Sequence, residues 1–323
     1  MPGLPIAWAD GGMVDRRMTQ SSPSSPARDQ SLTGLLAALG AFLIWGLVAP
    51  AYFKLLDGTG PVEIVAHRVV WTVLLVGGFV LASRPMGAIV AAVGTWRRLG
   101  IFVVTTLLVS SNWTIFIYAV GSGQLVQSSL GYYINPLVNV VLGVLFLGER
   151  LTRQQMAAVG IAAGGVLYLV LSYGVVPWLA LSLALTFGFY ALVRKKAAID
   201  PIIGLVVETA LLVPLALGYL VWLGAGNSFF HGGIGHGLLL MVSGPMTAVP
   251  LILFMVAASR LKLSTVGLLQ YIGPTGQLLL GVLVYGEAFT SAHAVAFACI
   301  WVALCVYSAS AFTALRARRA AAE

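Results

Sequence analysis

Ten long apolar segments, separated by short polar connections, dominate the pattern of hydrophobic and polar positions along the chain. They lie at 33–53, 61–82, 99–120, 125–147, 152–172, 175–193, 202–223, 237–258, 263–285 and 290–314. A helix needs about 20 apolar residues to cross the hydrocarbon core of a bilayer. The pattern therefore predicts an all-α integral membrane protein with ten transmembrane helices.

The composition of the chain excludes the soluble classes of protein. Of its 323 residues, 59% are hydrophobic and 9% are charged, whereas soluble domains carry about 25% charged residues. A soluble enzyme, a disordered protein and a secreted disulfide scaffold are therefore excluded. The net charge of +8 could indicate a nucleic-acid partner. Because the basic residues are spread among the connections, we instead expect the lipid bilayer as partner and no nucleic acid.

The distribution of basic residues predicts the orientation of the helices. If the N-terminus faces the cytoplasm, sixteen of the 18 Lys and Arg residues fall on the cytoplasmic side. Only Lys54 then faces outward, which is typical of the positive-inside rule. We expect a bacterial-type inner (plasma) membrane protein with both termini in the cytoplasm. Segment 1–30 is predicted to be a disordered cytoplasmic tail, and 316–323 a basic cytoplasmic tail.

The two halves of the chain repeat one pattern. Residues 112–149 align with 250–287 at a constant offset of 138, with 13 identities in 38 positions. The segments 31–172 and 173–315 are therefore predicted to be two repeats of five helices. Because five is odd, the second repeat enters the membrane from the opposite side. Such inverted repeats underlie many secondary transporters, although a duplication can also build a mere scaffold.

Several short motifs carry a family resemblance. They are Ile44-Trp45-Gly46, Ala49-Pro50-Ala51-Tyr52-Phe53-Lys54, Glu63-Ile64 with His67-Arg68, Ser129-Leu130-Gly131-Tyr132, Ile134-Asn135-Pro136-Leu137-Val138-Asn139, Gly148-Glu149-Arg150-Leu151, Leu263-Ser264-Thr265 and Gln270-Tyr271-Ile272-Gly273-Pro274. Together they resemble the EamA branch of the drug/metabolite transporter superfamily, and most closely its RarD subgroup. The resemblance covers residues 31–315. It implies an inner-membrane carrier that works without ATP, and a link to chloramphenicol sensitivity with no settled substrate.

Motifs of catalysis and of cofactor binding are missing from the sequence. There is no G-x-x-x-x-G-K-[S/T], no H-E-x-x-H and no G-x-S-x-G. The four histidines are scattered, so we expect no metal site. We therefore predict that the protein is not an enzyme, has no catalytic residues and uses no cofactor.

Ionisable residues inside the predicted spans are the clearest functional signal, because each is costly to place in a membrane. Glu63 and His67 are four residues apart and share a helix face, so they could hold or pass a proton, or simply pair with each other. Arg68 is predicted to stack towards Trp71, or to extend to the outer surface as an anchor. Glu208 occupies the position equivalent to Glu63 in the second repeat.

Helix interruptions and aromatic residues predict a central cavity. Pro136, Pro250 and Pro274 lie inside spans, where proline removes a backbone donor and frees a carbonyl. The predicted lining combines polar and aromatic side chains: Trp45, Asn112, Trp113, Tyr133, Asn135, Asn139, Tyr190, Tyr271 and Gln277. The alternative is that these residues only connect neighbouring helices.

Together these features predict a secondary-active transporter of a small metabolite or a drug-like amphipathic compound. Substrate would bind between the inverted repeats and be exposed alternately to each side. Transport is driven either by protons, through Glu63 and His67 or Glu208, or by the substrate gradient alone in a uniporter or exchanger. The remaining alternatives are a non-transporting membrane sensor and, least favoured, an integral membrane enzyme.

Overall fold

The computed structural model describes residues 26–78, 86–148, 150–174, 176–198, 201–261 and 263–320, and all regular elements in these ranges are helical. We number the long helices in chain order. They are α1 (Pro26–Leu43, a π-helical turn at Ile44–Val48, and Ala49–Leu55), α2 (Pro61–Thr72 and a π-helical turn at Val73–Gly77), α3 (Trp96–Gly121), α4 (Leu125–Leu147), α5 (Arg153–Tyr173), α6 (Trp178–Ala197), α7 (Pro201–Leu223), α8 (Gly233–Arg260), α9 (Leu263–Leu269, Ile272–Leu279 and a π-helical turn at Leu280–Val284) and α10 (Ser291–Ala320). Short helices at Met86–Val93 and Ser228–His231 precede α3 and α8.

Within the described residues, nine helices are long and apolar enough to cross a membrane. The other predicted span, 61–82, is described only to residue 78, where it is helical from Pro61 onward. Large apolar side chains such as Leu171, Val221 and Trp222 are strongly exposed on these helices. Such surface suits lipid and not water, so the chain is a multi-pass membrane protein.

Two predicted boundaries differ in the structure. Helix α1 begins at Pro26, inside the segment 1–30 that was predicted to be disordered, because proline suits the first turn of a helix. Helix α10 continues to Ala320, through the predicted tail, since Ala and Arg favour helix and the arginines lie near its C-terminus. Residues 1–25 and 321–323 of these predicted tails lie outside the described residues.

The three prolines predicted to interrupt helices lie in different settings. Pro136 and Pro250 are contained within the continuous helices α4 and α8. Pro274 lies in the first turn after a break in α9, where residues 270–271 form a turn. Single π-helical turns in α1, α2 and α9, which had no sequence signal, add further irregularity. Such turns are frequent at functional sites.

Most of the extensive contacts between helices follow a simple exchange rule. Helix α1 packs against α8 and α9, and α6 packs against α3 and α4. Likewise α2 packs against α8, and α7 against α3. Adding or subtracting five from each helix number converts one set of pairs into the other. The pairs α2–α7, α4–α9 and α5–α10 are also in contact, and the same addition or subtraction of five leaves each of these pairs unchanged.

Corresponding helices of the two halves run antiparallel where they meet. Near the start of α4, Ser128 Oγ donates to Gln277 Oε1 at 3.1 Å and Ser129 Oγ donates to the Pro274 carbonyl at 2.7 Å. The first amides of α4 bond to Glu287, just beyond the end of α9. Further along α4, Tyr133 stacks on Tyr271 near the beginning of α9. The N-terminal part of α4 therefore faces the C-terminal part of α9.

Helices α2 and α7 show the same antiparallel arrangement. Ile64, at the beginning of α2, shares a buried cluster with Ala216 in the second half of α7. Val76, in the π-helical turn of α2, packs in another cluster with Leu205 near the beginning of α7.

Glycines allow close contacts between the two halves of the chain. A Cβ atom on Gly46 of α1 would lie 2.6 Å from the Gly273 carbonyl oxygen of α9. In the exchange-related pair α6–α4, a Cβ on Gly188 would lie 2.9 Å from Val138 Cγ1. Small residues let membrane helices approach until their backbones touch.

We expect Gly46→Ala to lower the free energy of unfolding by about 1–3 kcal/mol, because the added methyl group meets backbone that cannot rotate away. Gly160→Ala is the matched control, since nothing lies within 4 Å of the added Cβ. Denaturant unfolding of the purified protein in detergent measures both. Equal stability of the two variants would contradict the close contact between α1 and α9.

Candidate functional site

Glu63 and His67 attach α2 to the connection between α7 and α8. Glu63 Oε1 accepts from the Ser228 amide at 2.6 Å, and Oε2 accepts from Ser228 Oγ at 3.0 Å. His67 Nε2 lies 3.2 Å from Asn227 Oδ1. We call these four residues the 227–228 clasp. The Glu63 and His67 side chains thus lie on the same face of α2. Each pairs with the connection between α7 and α8 and not with the other, and both carboxylate oxygens of Glu63 accept hydrogen bonds.

Aromatic stacking extends the clasp along α2. The Phe229 ring stacks on His67, with centroids 5.5 Å apart, and on Trp71, with centroids 6.2 Å apart. A separate contact joins Thr59 Oγ1 to His236 Nε2 at 2.8 Å. The end of the bundle where α2 begins and α8 begins is therefore closed by polar and aromatic contacts.

Arg68 is buried between α1, α2, α3 and α8. Its side chain is only 8% exposed, so it does not extend to the surface as an anchor. Its Nε donates to Thr247 Oγ1 at 2.7 Å. The guanidinium lies 4.1 Å from the Trp113 ring centroid and 5.8 Å from that of Phe53. The predicted stacking partner, Trp71, is instead engaged by Phe229, so that prediction was wrong.

Asn112 connects three helices beside this arginine. Its Nδ2 donates to the Leu183 carbonyl and to Thr186 Oγ1 of α6, each at 3.0 Å. Tyr132 Oη of α4 donates to Asn112 Oδ1 at 3.2 Å. All the hydrogen-bonding groups of this amide are thus used between helices, while its neighbour Trp113 faces Arg68.

A second charged cluster lies between α6 and α7. Glu208 is 1% exposed, and its Oε2 accepts from Tyr190 Oη at 3.1 Å and from Arg194 Nη1 at 3.3 Å. Arg194 also donates to Tyr190 Oη. Sequence reasoning named Tyr190 and Glu208 separately but missed Arg194. Its position, one helical turn after Tyr190, was the signal available.

One oxygen of this carboxylate is unsatisfied. Within the described residues, Glu208 Oε1 is enclosed and has no hydrogen-bond partner. The Thr105 hydroxyl interacts with the same carboxylate but donates to the Phe102 carbonyl at 3.1 Å. An enclosed acceptor without a donor is costly, and it is relieved when the carboxylate takes up a proton.

The remaining predicted lining residues lie mainly at helix contacts. Tyr133, Tyr271 and Gln277 belong to the α4–α9 contact, where Tyr133 Oη also bonds to Thr275 Oγ1. Asn139 Nδ2 donates to Asn135 Oδ1 at 2.9 Å on the same face of α4.

Trp45 packs among aromatic rings, with centroids 5.9 Å from both Phe42 and Phe254. The other predicted lining residues divide among the α4–α9 contact, the surroundings of Arg68 and the Glu208 cluster, while Trp45 and the Asn135–Asn139 pair make these separate contacts.

Glu287, after the end of α9, holds the beginning of α4. Its two oxygens accept from the Leu125 and Val126 amides at 2.8 and 2.7 Å. This carboxylate satisfies amides that have no partner within the helix and lies at the positive end of its dipole. The counterpart in the first repeat, Glu149, lies outside the described residues.

Two open crevices lie away from these contacts. One, of about 630 Å³, is lined by residues at the start of α3 and the end of α6, among them Arg97, Arg98 and Lys196. The other, of about 410 Å³, is lined by residues that include Gln124 and Trp178. In the part of the chain that the structure describes, no three His, Cys, Asp or Glu side chains are grouped to hold a metal.

Comparison with known proteins identifies the family. The profile of the EamA-like transporter family matches residues 32–171. An uncharacterized transporter of Vibrio cholerae is 45% identical over 299 residues, which are 92% of this chain and 99% of the relative. This chain belongs to the EamA-like transporter family. Two more relatives place it near the RarD proteins, as the motifs indicated.

The protein RarD of Streptomyces exfoliatus is 44% identical over 299 residues, 92% of this chain and 95% of that protein. The chloramphenicol-sensitive protein RarD of Pseudomonas aeruginosa is 34% identical over 278 residues, 84% of this chain and 92% of the relative. The resemblance to the RarD subgroup is therefore confirmed, and with it a transporter-type membrane protein.

We expect Glu63→Ala to loosen the connection before α8, because the Ser228 amide and hydroxyl lose a charged acceptor worth about 1.5–3 kcal/mol. Hydrogen exchange at Ser228 should become at least about tenfold faster. The control is Asp57→Ala, whose carboxylate makes an exposed pair with Lys54 and contributes little. Unchanged exchange at Ser228 in Glu63→Ala would show that the clasp does not hold this connection.

Proposed function

We propose that the protein is a secondary-active transporter that moves a small amphipathic compound by alternating access between two inverted five-helix repeats. The observation that carries this proposal is the antiparallel packing of corresponding helices, α4 with α9 and α2 with α7. The exchange rule among the other helix pairs supports the same symmetry. Two copies of one unit in opposite orientations have two near-equivalent packings, each open to one side.

The contacts at the two ends of the bundle indicate which of these packings is present. The 227–228 clasp closes the end where α2 begins. The 630 Å³ crevice lies at the ends of α3 and α6. In the orientation that the basic residues predict, the clasp is extracellular and the crevice is cytoplasmic. We therefore infer a conformation that is closed outside, and in the opposite conformation the clasp would be broken.

Counterflow tests this proposal with two small amphipathic probes: neutral chloramphenicol, chosen because one relative is named for chloramphenicol sensitivity, and phenylacetate. For at least one of the two, proteoliposomes loaded with the unlabelled probe should transiently accumulate the labelled form of that probe from outside. Glu63→Cys with Ser228→Cys, in a chain with Ser at 299 and 305, allows the clasp to be locked by a short bifunctional methanethiosulfonate.

Locking should abolish counterflow and reduction should restore it, whereas either single-cysteine variant should be unaffected by the reagent. Equal counterflow before and after locking would contradict alternating access through this end.

We also propose that Glu208, and not Glu63, couples transport to protons. The two oxygens of Glu63 are fully bonded, while Glu208 has one enclosed oxygen without a donor in the described structure. A carboxylate in that state can take up a proton without breaking a hydrogen bond at that oxygen. Its other oxygen is held by Arg194, so protonation would weaken the contact between α6 and α7.

Glu208→Gln should therefore abolish accumulation driven by a pH gradient but retain counterflow, because the amide mimics the protonated acid. Glu63→Gln is the matched control and should retain both activities. Uptake into proteoliposomes with and without an imposed pH gradient measures the difference. If uptake by the wild-type protein is the same with and without the pH gradient, proton coupling is excluded. The protein would then be a uniporter or an exchanger.

A further inference from the structure

Arg68 is a buried cation without a carboxylate partner among the described residues. Ion pairs there join Lys54 to Asp57 and Arg194 to Glu208, and neither includes Arg68. Glu63, five residues earlier on the same helix, is occupied by Ser228. The titratable side chains that interact with the guanidinium are the hydroxyls of Tyr52 and Tyr132, and neither carries the negative charge that would neutralise an arginine at neutral pH.

The bonding capacity of this guanidinium is only partly used. Nε donates to Thr247 Oγ1, whose own hydroxyl donates to the Ser243 carbonyl at 2.9 Å. The two Nη nitrogens have no acceptor among the described residues. Neither is one of the fully enclosed polar atoms that lack a partner. Both terminal nitrogens therefore keep some solvent-accessible surface and unused donor capacity.

The surroundings favour an anion with an apolar body. Arginine stays protonated under physiological conditions, and an uncompensated buried charge costs several kcal/mol. The Trp113 and Phe53 rings offset part of this cost by cation–π attraction. The planar fork of Nη donors matches the two oxygens of a carboxylate. Beside it, the same rings offer apolar surface to the rest of a ligand.

The position of Arg68 also suits a transported ligand. Arg68 and Trp113 belong to the first repeat, whereas Thr247 belongs to the second. A ligand bound to the free Nη groups would therefore lie where the two repeats meet, which is where substrate binds in inverted-repeat transporters.

We propose that Arg68 anchors the carboxylate of a small organic anion, and that the compound transported is an amphipathic carboxylate with an aromatic or aliphatic body. This inference rests on the proposed transport function and specifies its substrate class. An inorganic anion could meet the same charge requirement but would not use the aromatic walls. The experiment therefore needs probes that separate charge, carboxylate geometry and apolar body.

Thermal unfolding of the purified protein in detergent provides the test. The probes are benzoate, phenylacetate and indole-3-acetate, each compared with its neutral amide, and sodium chloride at equal ionic strength. At least one carboxylate should raise the unfolding temperature while its amide and chloride do not. If no carboxylate exceeds its own amide, the proposal is overturned. If chloride alone reproduces the full shift, the site takes inorganic anions and the substrate class is wrong.

Substitutions then assign the effect to Arg68. Arg68→Gln should weaken binding of the active carboxylate at least tenfold, and Arg68→Lys should weaken it less, because charge remains but the fork is lost. Arg98→Gln is the control, a cation of α3 that is exposed and donates to the Ala91 carbonyl. Undiminished carboxylate binding by Arg68→Gln would refute the assignment.

Tryptophan fluorescence keeps the proposal testable if Arg68→Gln does not fold. The carboxylate should change the emission of the wild-type protein, and Trp113→Phe should remove most of that change. A change that persists in Trp113→Phe would place the ligand elsewhere. Because this is a binding measurement, its outcome is independent of counterflow: absence of counterflow for both probes, with retained carboxylate binding, would overturn only the transport proposal.

Discussion

A membrane offers no water to buried polar groups, so each must find its partner inside the protein. In this fold the contact between α4 and α9 meets that requirement for several polar groups in both halves of the chain. The Ser128 and Ser129 hydroxyls reach across to Gln277 and the Pro274 carbonyl. Glu287 binds the first amides of α4 from the other repeat. Separating the two helices would leave all of these groups unpaired.

Under this constraint, the charged residues of the interior differ in how completely their hydrogen-bonding groups are paired. Glu63 is fully paired and therefore fixes a connection. Glu208 is half paired, and Arg68 is paired only through Nε and aromatic rings. In our proposals a proton completes the pairing of Glu208, and a carboxylate ligand completes that of Arg68. Stability alone accounts for Glu63, whereas Glu208 and Arg68 are the residues for which we propose a role in transport.

The helices could be predicted from the sequence because hydropathy and segment length indicate directly which residues lie in lipid. Sequence reasoning also identified Tyr133 and Tyr271 as related residues, since the repeat aligns them at the offset of 138. It did not show that they pack against each other, because a repeat gives equivalence and not proximity. The π-helical turns in α1, α2 and α9 had no local signal, as they arise from packing.

The partners of charged residues were the least predictable part of the site. Glu63 meets Ser228, which is 165 positions away along the chain. Arg68 meets Thr247, 179 positions away. Spacing along a helix suggested Trp71 as a partner of Arg68, but a nearby connection supplied Phe229 to that ring. Local periodicity predicts which residues share a face, and only the tertiary fold decides what covers that face.

The central claim is that the two repeats lie in the membrane in opposite orientations, and labelling of equivalent connections tests it most directly. Asp57→Cys reports on the connection between α1 and α2, and Ala198→Cys on that between α6 and α7, each in a chain with Ser at 299 and 305. A membrane-impermeant maleimide should label the first only in right-side-out vesicles and the second only in inside-out vesicles. Labelling of both from the same side would contradict the inverted arrangement.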